Sequence, residues 1–409
     1  MRRLLSVNNY HYLRGGAEEV YFNHAKLFEA HGWQNVFFST QHENNIDCET
    51  AAFFPSKIDY GSTGRYGRTV GNAVKMIYSV EARRQLARLL DEKSADVVHL
   101  HNIYHHLSPS IIWETKGRGI PTVLTAHDLK LVCPSYRMYN DRGICERCRN
   151  GKIWNVLLQR CIKQSYLASG VVLVESATHR LMRVYEALDK IVAPSRFYVQ
   201  KMEEWGIAPE KLIHIPNFLF VPDDADAMPS PAPASYILYF GRLSSEKGLE
   251  TLIRAAKQAK VSVKVLGSGP QDEYLRAMAA KLEAPVEFCG YQSGDALRAY
   301  LDNACVVVLP SEWYENGPMS AVYAFARGKP LIGARIGGIM EMVVEGVTGW
   351  GFAAGDVEDL ARALSQAEAA TRETLEEMGA ACRRYFLEKH SPEAYYGAMS
   401  ALYDELLRR

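Results

Sequence analysis

Short apolar runs alternate with longer amphipathic stretches along the whole chain. In the first half, the runs at Leu4–Val7, Asn35–Ser39, Val97–His99, Thr122–Thr125 and Lys190–Ala193 predict strands. In the second half, Tyr236–Phe240, Val261–Leu266, Val286–Cys289, Cys305–Leu309 and Pro330–Gly333 do the same. Many of these runs are apolar at consecutive positions rather than alternate ones, as in strands covered on both faces. Between them, helical periodicity predicts helices such as Ala17–Ala30, Gly248–Ala259, Asp272–Leu282 and Gly294–Asn303. The alternation of the two element types predicts an α/β protein with parallel, doubly wound sheets.

Residues 221–235 break the pattern. They are rich in Pro, Asp and Ala, have no periodicity, and read as a linker. The expected organisation is an N-terminal Rossmann-like domain (1–217), a linker (218–235), a C-terminal Rossmann-like domain (236–391) and a terminal helix (392–409). That helix carries Tyr395, Tyr396, Met399, Leu402, Tyr403 and Leu406 on its apolar side and is expected to pack back on the N-terminal domain. Two such domains leave a cleft, and ligands of doubly wound sheets sit beyond the carboxyl ends of the strands. The loops that follow strands are therefore where chemistry belongs.

Composition narrows this only a little. Hydrophobic residues are 48% and charged residues 23%, a globular profile. Lys+Arg and Asp+Glu both number 47, so no global attraction to nucleic acid is expected. No apolar run has the length of a membrane span. The start, Met1 to Val7, turns polar at Asn8 and reads as a buried strand rather than a leader. The scattered cysteines fit a reducing cytoplasm.

In the second half, Gly241-Arg242-Leu243-Ser244-Ser245-Glu246-Lys247-Gly248 follows a predicted strand. Arg242 can fork onto phosphate oxygens and Lys247 adds a point charge. A second strand is followed by Pro310-Ser311 and then Glu315-Asn316-Gly317-Pro318-Met319. Asn316 suits a helix N-cap, with Pro318 in the first turn and Gly328 at the stop. Free N–H groups at that helix start would favour an anion or sugar hydroxyls. Glu315, just before it, can accept hydrogen bonds from a sugar. Gly267-Ser268-Gly269-Pro270 and Gly337-Gly338 also follow strands and permit close backbone approach; the first can equally be a plain tight turn. In the first half, Gly15-Gly16 opens a helix, and His127-Asp128 follows the strand Thr122–Thr125. His127 could contact a sugar or move a proton, with His101 and Asn102 as second choices facing an acceptor and Asp128 expected on that same acceptor side.

Taken in order, Phe240-Gly241-Arg242, Glu246-Lys247-Gly248, Leu266 to Pro270, Pro310-Ser311 and Glu315 to Pro318 resemble glycosyltransferase family 4. Ile191-Val192-Ala193-Pro194-Ser195 and Ile215-Pro216-Asn217 add to the resemblance, which covers nearly the whole chain. It implies the two-domain GT-B architecture and a retaining transfer of a sugar from a nucleotide-diphosphate donor, without a catalytic metal. The acceptor would be a glycan or lipid-linked glycan, in polysaccharide or glycoconjugate synthesis. By that resemblance Arg242 and Lys247 stabilise the departing diphosphate, Glu315 binds the donor sugar, and backbone N–H groups from Asn316 to Met319 hold its hydroxyls or the phosphate. Gly15 and Gly16 would close on the diphosphate from the opposite domain, and His127-Asp128 matches the family's His-Asp position. One departure stands out. The family places a second Glu, for the ribose hydroxyls, eight residues after the first; here that position is Tyr323, a one-proton donor and weaker acceptor.

Two features are less specific. Cys133, Cys145, Cys148 and Cys161 include a tight C-x2-C pair and could complete a structural zinc site of four thiolates; free thiols or a redox pair are equally open. Residues 60–80 and 151–167 mix basic with aromatic side chains, as peripheral contact with the inner membrane face would require or as an ordinary solvated helix would show. Other classes remain on the same architecture: a nucleotide-sugar epimerase, a glycan phosphorylase, or a non-catalytic nucleotide- or sugar-binding scaffold prompted by Tyr323.

Overall fold

The structure is a computed structural model, which describes residues 1–58, 71, 74–221 and 236–408. Of the expected linker, residues 222–235 lie outside the described residues, as does most of the 60–80 segment.

Two six-stranded sheets, each wholly parallel, organise the molecule. The first is built from β1 (Arg3–Val7), β2 (Gln34–Phe38), β3 (Val97–Leu100), β4 (Thr122–Thr125), β5 (Lys190–Ala193) and β6 (Leu212–His214), in the order β2-β1-β3-β4-β5-β6. The second contains β7 (Ile237–Phe240), β8 (Val263–Leu266), β9 (Val286–Gly290), β10 (Val306–Leu309), β11 (Leu331–Ala334) and β12 (Gly349–Phe352), in the order β9-β8-β7-β10-β11-β12. The consecutive apolar runs explain the layering. β3, β4, β10 and β11 are buried at every position, so each needs cover on both faces.

Ten of the twelve strands fall where the pattern predicts them, within two residues at each end. β6 and β12 do not. β6 is only three residues, and β12 has two glycines in four positions, so neither carries a strand signal of its own. Both are added at a sheet edge by pairing, β6 on β5 and β12 on β11.

Four helices matter for the cleft. α1 (Gly16–Ala30) follows β1, α2 (Tyr166–Leu181) and α3 (Arg196–Glu204) flank β5, and α4 (Met319–Ala326) follows β10. A last helix, α5 (Pro392–Leu407), puts Tyr395, Met399, Leu402, Tyr403 and Leu406 into one apolar cluster with Leu4, Phe28, Trp33, Val97 and Val123 of the first sheet's domain. Phe218, just after the first sheet, stacks on Tyr395 with ring centroids 4.3 Å apart.

Candidate active site

A cavity of about 870 Å³ opens between the two sheets, within the usual range for small-molecule sites. Its floor follows from topology. In the second sheet the strand order reverses between β7 and β10, which pair directly. The loops leaving those two strands diverge there, and such a switch point is where doubly wound sheets hold ligands. Arg242 comes from the β7 loop and Glu315 from the β10 loop, and both line the cavity with Lys247.

Lys247 donates to Glu315 at 2.6 Å, and Ser311 Oγ donates to the same carboxylate at 2.6 Å. Glu315 is buried. Burial works to raise its carboxyl, but the Lys247 charge and the hydrogen bonds outweigh it and hold it below the usual carboxylate range. The Lys247 ammonium also sits 5.3 Å from the centre of the Trp313 ring, a further cation–π restraint. Arg242 differs. It is exposed to the cavity, and among the described residues no hydrogen bond or ion pair holds its guanidinium. One cation is thus held by protein and the other is open to an anion.

Backbone packing builds the pedestal. A Cβ on Gly267 would lie 1.9 Å from the carbonyl oxygen of Gly241, so the two strand-end loops touch main chain to main chain. The Gly337-Gly338 loop does the same under Glu315: a Cβ on Gly338 would lie 1.8 Å from the Asn316 carbonyl oxygen, and Gly338 N–H donates to the Glu315 carbonyl at 2.8 Å. These glycines shape the protein beneath the carboxylate.

The expected helix cap is corrected. α4 begins at Met319 with Pro318 as its N-cap residue, and no side chain caps it. Asn316 instead bridges the domains. Its Nδ2 donates to the Ala126 carbonyl at 2.8 Å and its Oδ1 accepts from Ser195 Oγ at 3.0 Å. Asn217 reaches the Gly317 carbonyl at 3.2 Å. Pro318 has no N–H, so within the stretch from Asn316 to Met319 it can donate nothing. Ser195 also caps α3 through Tyr198 N–H, and Glu341 from the other domain accepts from Arg196 N–H and Phe197 N–H at 3.0 and 2.7 Å. The Pro194-Ser195 and Pro216-Asn217 motifs therefore serve as domain-to-domain contacts.

Across the cavity stand Gly15, Gly16 and His127. A Cβ on Gly16 would meet the Met319 side chain at 3.3 Å, so the starts of α1 and α4 face one another closely. Burial lowers the His127 ring to about 4, which leaves it neutral at physiological pH, a hydrogen-bonding group without charge. The three residues expected on the acceptor side are not on the cavity wall. His101 is fully buried, and its Nδ1 pairs with His127 Nε2 at 2.9 Å. Asn102 N–H is taken by Asn8, and Asp128 accepts from Lys130 N–H. In the register of β3 on β4, Leu100 pairs with Leu124, so His101 lies level with Thr125, two residues short of His127.

Residue 323 faces the cavity too, and its phenol donates to Glu19 of α1, in the opposite domain. Arg14, Glu19, Tyr291 and Trp313 also line the cavity. Tyr291 follows β9, so the strand-end rule could have found it; Glu19 lies inside a helix, where no local signal marks it.

A family model described as Glycosyltransferase Family 4 matches residues 14–219, half of the chain, and one described as Glycosyl transferases group 1 matches residues 222–385. The chain belongs to glycosyltransferase family 4. An uncharacterized glycosyltransferase of Methanocaldococcus jannaschii is 23% identical over 82% of this chain and 93% of its own length. A glycogen synthase of Mycobacterium tuberculosis is 36% identical over 38% of this chain and 37% of its own, and an amylovoran biosynthesis glycosyltransferase of Erwinia amylovora 28% over 46% and 50%. The chain spans 30% to 59% of the length of several such relatives. Among solved structures, a sucrose-phosphate synthase from Thermosynechococcus elongatus superposes with a TM-score of 0.72 at 18% identity, covering both chains completely. Anabaena HepE in complex with UDP-glucose gives 0.66 at 16% identity, over 99% of this chain and 100% of the other. At these identities the likeness speaks for the fold, which is GT-B.

The four clustered cysteines are all free thiols. Burial, and then the neighbouring Cys133, Cys161 and Cys145, push Cys148 up to about 12, and Cys161 is raised to about 11. Among the described residues no group of three or more His, Cys, Asp or Glu side chains is set to hold a metal ion. A small hairpin, Tyr139–Asn140 with Gly143–Ile144, and the Lys201 bond to Glu146 at 2.9 Å tie this loop down.

Proposed function

We propose that this chain is a retaining glycosyltransferase. It takes a sugar from a nucleotide-diphosphate donor and passes it to a glycan or lipid-linked glycan in polysaccharide or glycoconjugate synthesis. The observation that carries this reading is the convergence of Arg242, Lys247 and Glu315 at the switch point, beside the start of α4. Two cations and the positive end of a helix suit a leaving diphosphate, whose charge grows as the glycosidic bond breaks. A buried carboxylate next to them suits sugar hydroxyls, and neutral His127 faces them from the other domain. The names of two relatives, glycogen synthase and amylovoran biosynthesis glycosyltransferase, and the UDP-glucose bound to a protein of the same fold support a nucleotide sugar. The reading is tested by incubating the chain with UDP- and GDP-sugars and a glycan mixture, then recording the product by NMR. Transfer with the donor's anomeric configuration kept is expected; conversion of donor without acceptor, or dependence on inorganic phosphate, would replace this reading with an epimerase or a phosphorylase.

No helix among the described residues is long and apolar enough to cross a membrane. A membrane-surface contact is nevertheless supported by α2. It buries only Ser169, Val172, Glu175 and His179, and leaves Leu167 72% and Leu181 86% exposed. Trp154 is exposed nearby, and Arg160 lies 5.4 Å from the Tyr166 ring centre. Apolar tips among basic groups suit an anionic headgroup layer, where a lipid-linked acceptor would be found. Flotation with phosphatidylglycerol-containing vesicles should recover the protein, and Trp154→Asp with Leu167→Asp should release it. Equal recovery of both forms, or none of either, would argue against the contact.

A further inference from the structure

The donor reading leaves one group in the cavity unexplained. Glu19 is half-buried, and among the described residues its carboxylate has a single hydrogen-bond partner, the Tyr323 hydroxyl. Among the described residues no cation pairs with it. Burial raises the carboxyl, and only the Tyr323 bond opposes that. A lone carboxylate in a donor cavity would repel phosphate and attract hydroxyls.

Its position narrows which hydroxyls. Tyr323 lies one turn into α4, about 6 Å along the axis from Met319, and its ring meets the Phe240 ring edge-on with centroids 6.4 Å apart. The cations and Glu315 lie at the start of that helix. Tyr291, 71% exposed, lines the cavity at the end of β9 and is near enough to couple electrostatically with Tyr323. The wall thus carries two cations, a carboxylate–phenol pair one turn into α4, and an open aromatic ring. A nucleoside diphosphate has the matching parts: a diphosphate, a sugar with two adjacent hydroxyls, and a flat base.

We infer that Glu19, carried by the N-terminal domain, accepts the hydrogen bonds of the donor's ribose hydroxyls, with Tyr323 as the clamp that holds it in place. This rests on the donor reading above. It assigns the ribose contact to a carboxylate from across the cleft, so recognition of the nucleoside requires the two domains to be closed. The phenol stays a donor throughout the working pH range, because burial and the Glu19 charge both raise it.

The test is calorimetric, on the full chain, with UDP and GDP and their 2′-deoxy and 3′-deoxy forms. In the unaltered protein, loss of a hydroxyl bonded to a carboxylate should weaken binding by roughly 10- to 100-fold. In Glu19→Gln, the amide cannot replace the ionised acceptor, and the ribo-to-deoxy ratio should shrink to about 3-fold or less. Placing a carboxylate on the other wall, Tyr323→Glu within Glu19→Gln, should restore the ratio. Tyr323→Glu alone should weaken binding, since two carboxylates then face one another. Arg242→Ala should weaken ribo and deoxy forms alike. Binding that needs Arg242 but keeps its full ratio in Glu19→Gln would overturn this inference and leave the donor reading intact. Failure of both UDP and GDP to bind the unaltered protein would remove the donor reading and this inference with it. A thermal melt of Glu19→Gln separates loss of contact from loss of fold, and Glu19→Asp, shorter by one methylene, should keep an intermediate ratio.

Discussion

Arg242→Ala is expected to lower sugar transfer by roughly 10²- to 10³-fold, the usual scale for removing one preorganised group that meets developing charge. It should leave stability almost unchanged, within about 0.5 kcal/mol, as for surface substitutions that break no contact. The reason is that its guanidinium is exposed and has no hydrogen bond or ion pair among the described residues. Lys247→Ala should match it in transfer but not in stability. Lys247 neutralises Glu315, which is buried, with its nitrogen 2.6 Å from the carboxylate. Removing it strands a buried carboxylate, at a cost of about 3 kcal/mol. Glu315 would then titrate higher, so Lys247→Ala should recover stability as the pH falls through the new value. Steady-state kinetics and denaturant melts of both variants separate the two roles. Near-normal turnover in Arg242→Ala would defeat the leaving-group assignment.

The second large effect is a loss of stability in mild acid. His24, His99, His101 and His127 form a row through the N-terminal domain, with centroids 4.6, 4.7 and 5.2 Å apart; the last three rings are stacked, and His24 is tilted against His99. Tyr395 and Tyr403 of α5 bond into it at His24, and Tyr403 bonds also to His99. His11 is buried beside Tyr21, one helix away. Burial lowers His24 to about 3 and both His11 and His127 to about 4, and drives His99 and His101 well down. Unfolding releases each ring to its ordinary value of about 6.5. The unfolded chain therefore binds protons first, and the stability present above about pH 6.5 is lost as the pH falls toward the folded values. At pH 5 this amounts to about 2 kcal/mol per ring. His11, His24 and His127 together would withdraw on the order of 6 kcal/mol, with His99 and His101 acting in the same direction, a large part of the stability of a domain. Asp128, raised to about 6 by burial, acts in the opposite sense and offsets about 1 kcal/mol. Denaturant midpoints measured from pH 7.5 to 5 should fall steeply, and a flat profile would refute the buried-neutral row.

The same row shows where residue-level reasoning fails. His101 and His127 look alike in sequence, each a histidine just after a strand. β3 and β4 are neighbours, but only the β4 end opens on the cavity, and His101 is spent on orienting its neighbour. Asn316 makes the point again. Beside a helix start, Asn is a good cap by local chemistry; here its amide is drawn away to Ala126 and Ser195 of the other domain. Arg242, Lys247 and Glu315 were legible because each sits within a few residues of a strand end, and strand ends define the cleft.

The sequence by itself determined the alternating elements, the two parallel sheets and the loops that carry the cations, because burial on both faces and glycine turns are written in consecutive residues. It also marked position 323 as a departure. Only the tertiary structure decided what stands opposite that position. Glu19 and Tyr323 are 304 residues apart, and nothing local to either requires the other. Their meeting depends on how two separately folded domains close on one cavity, and that is set by packing across the cleft.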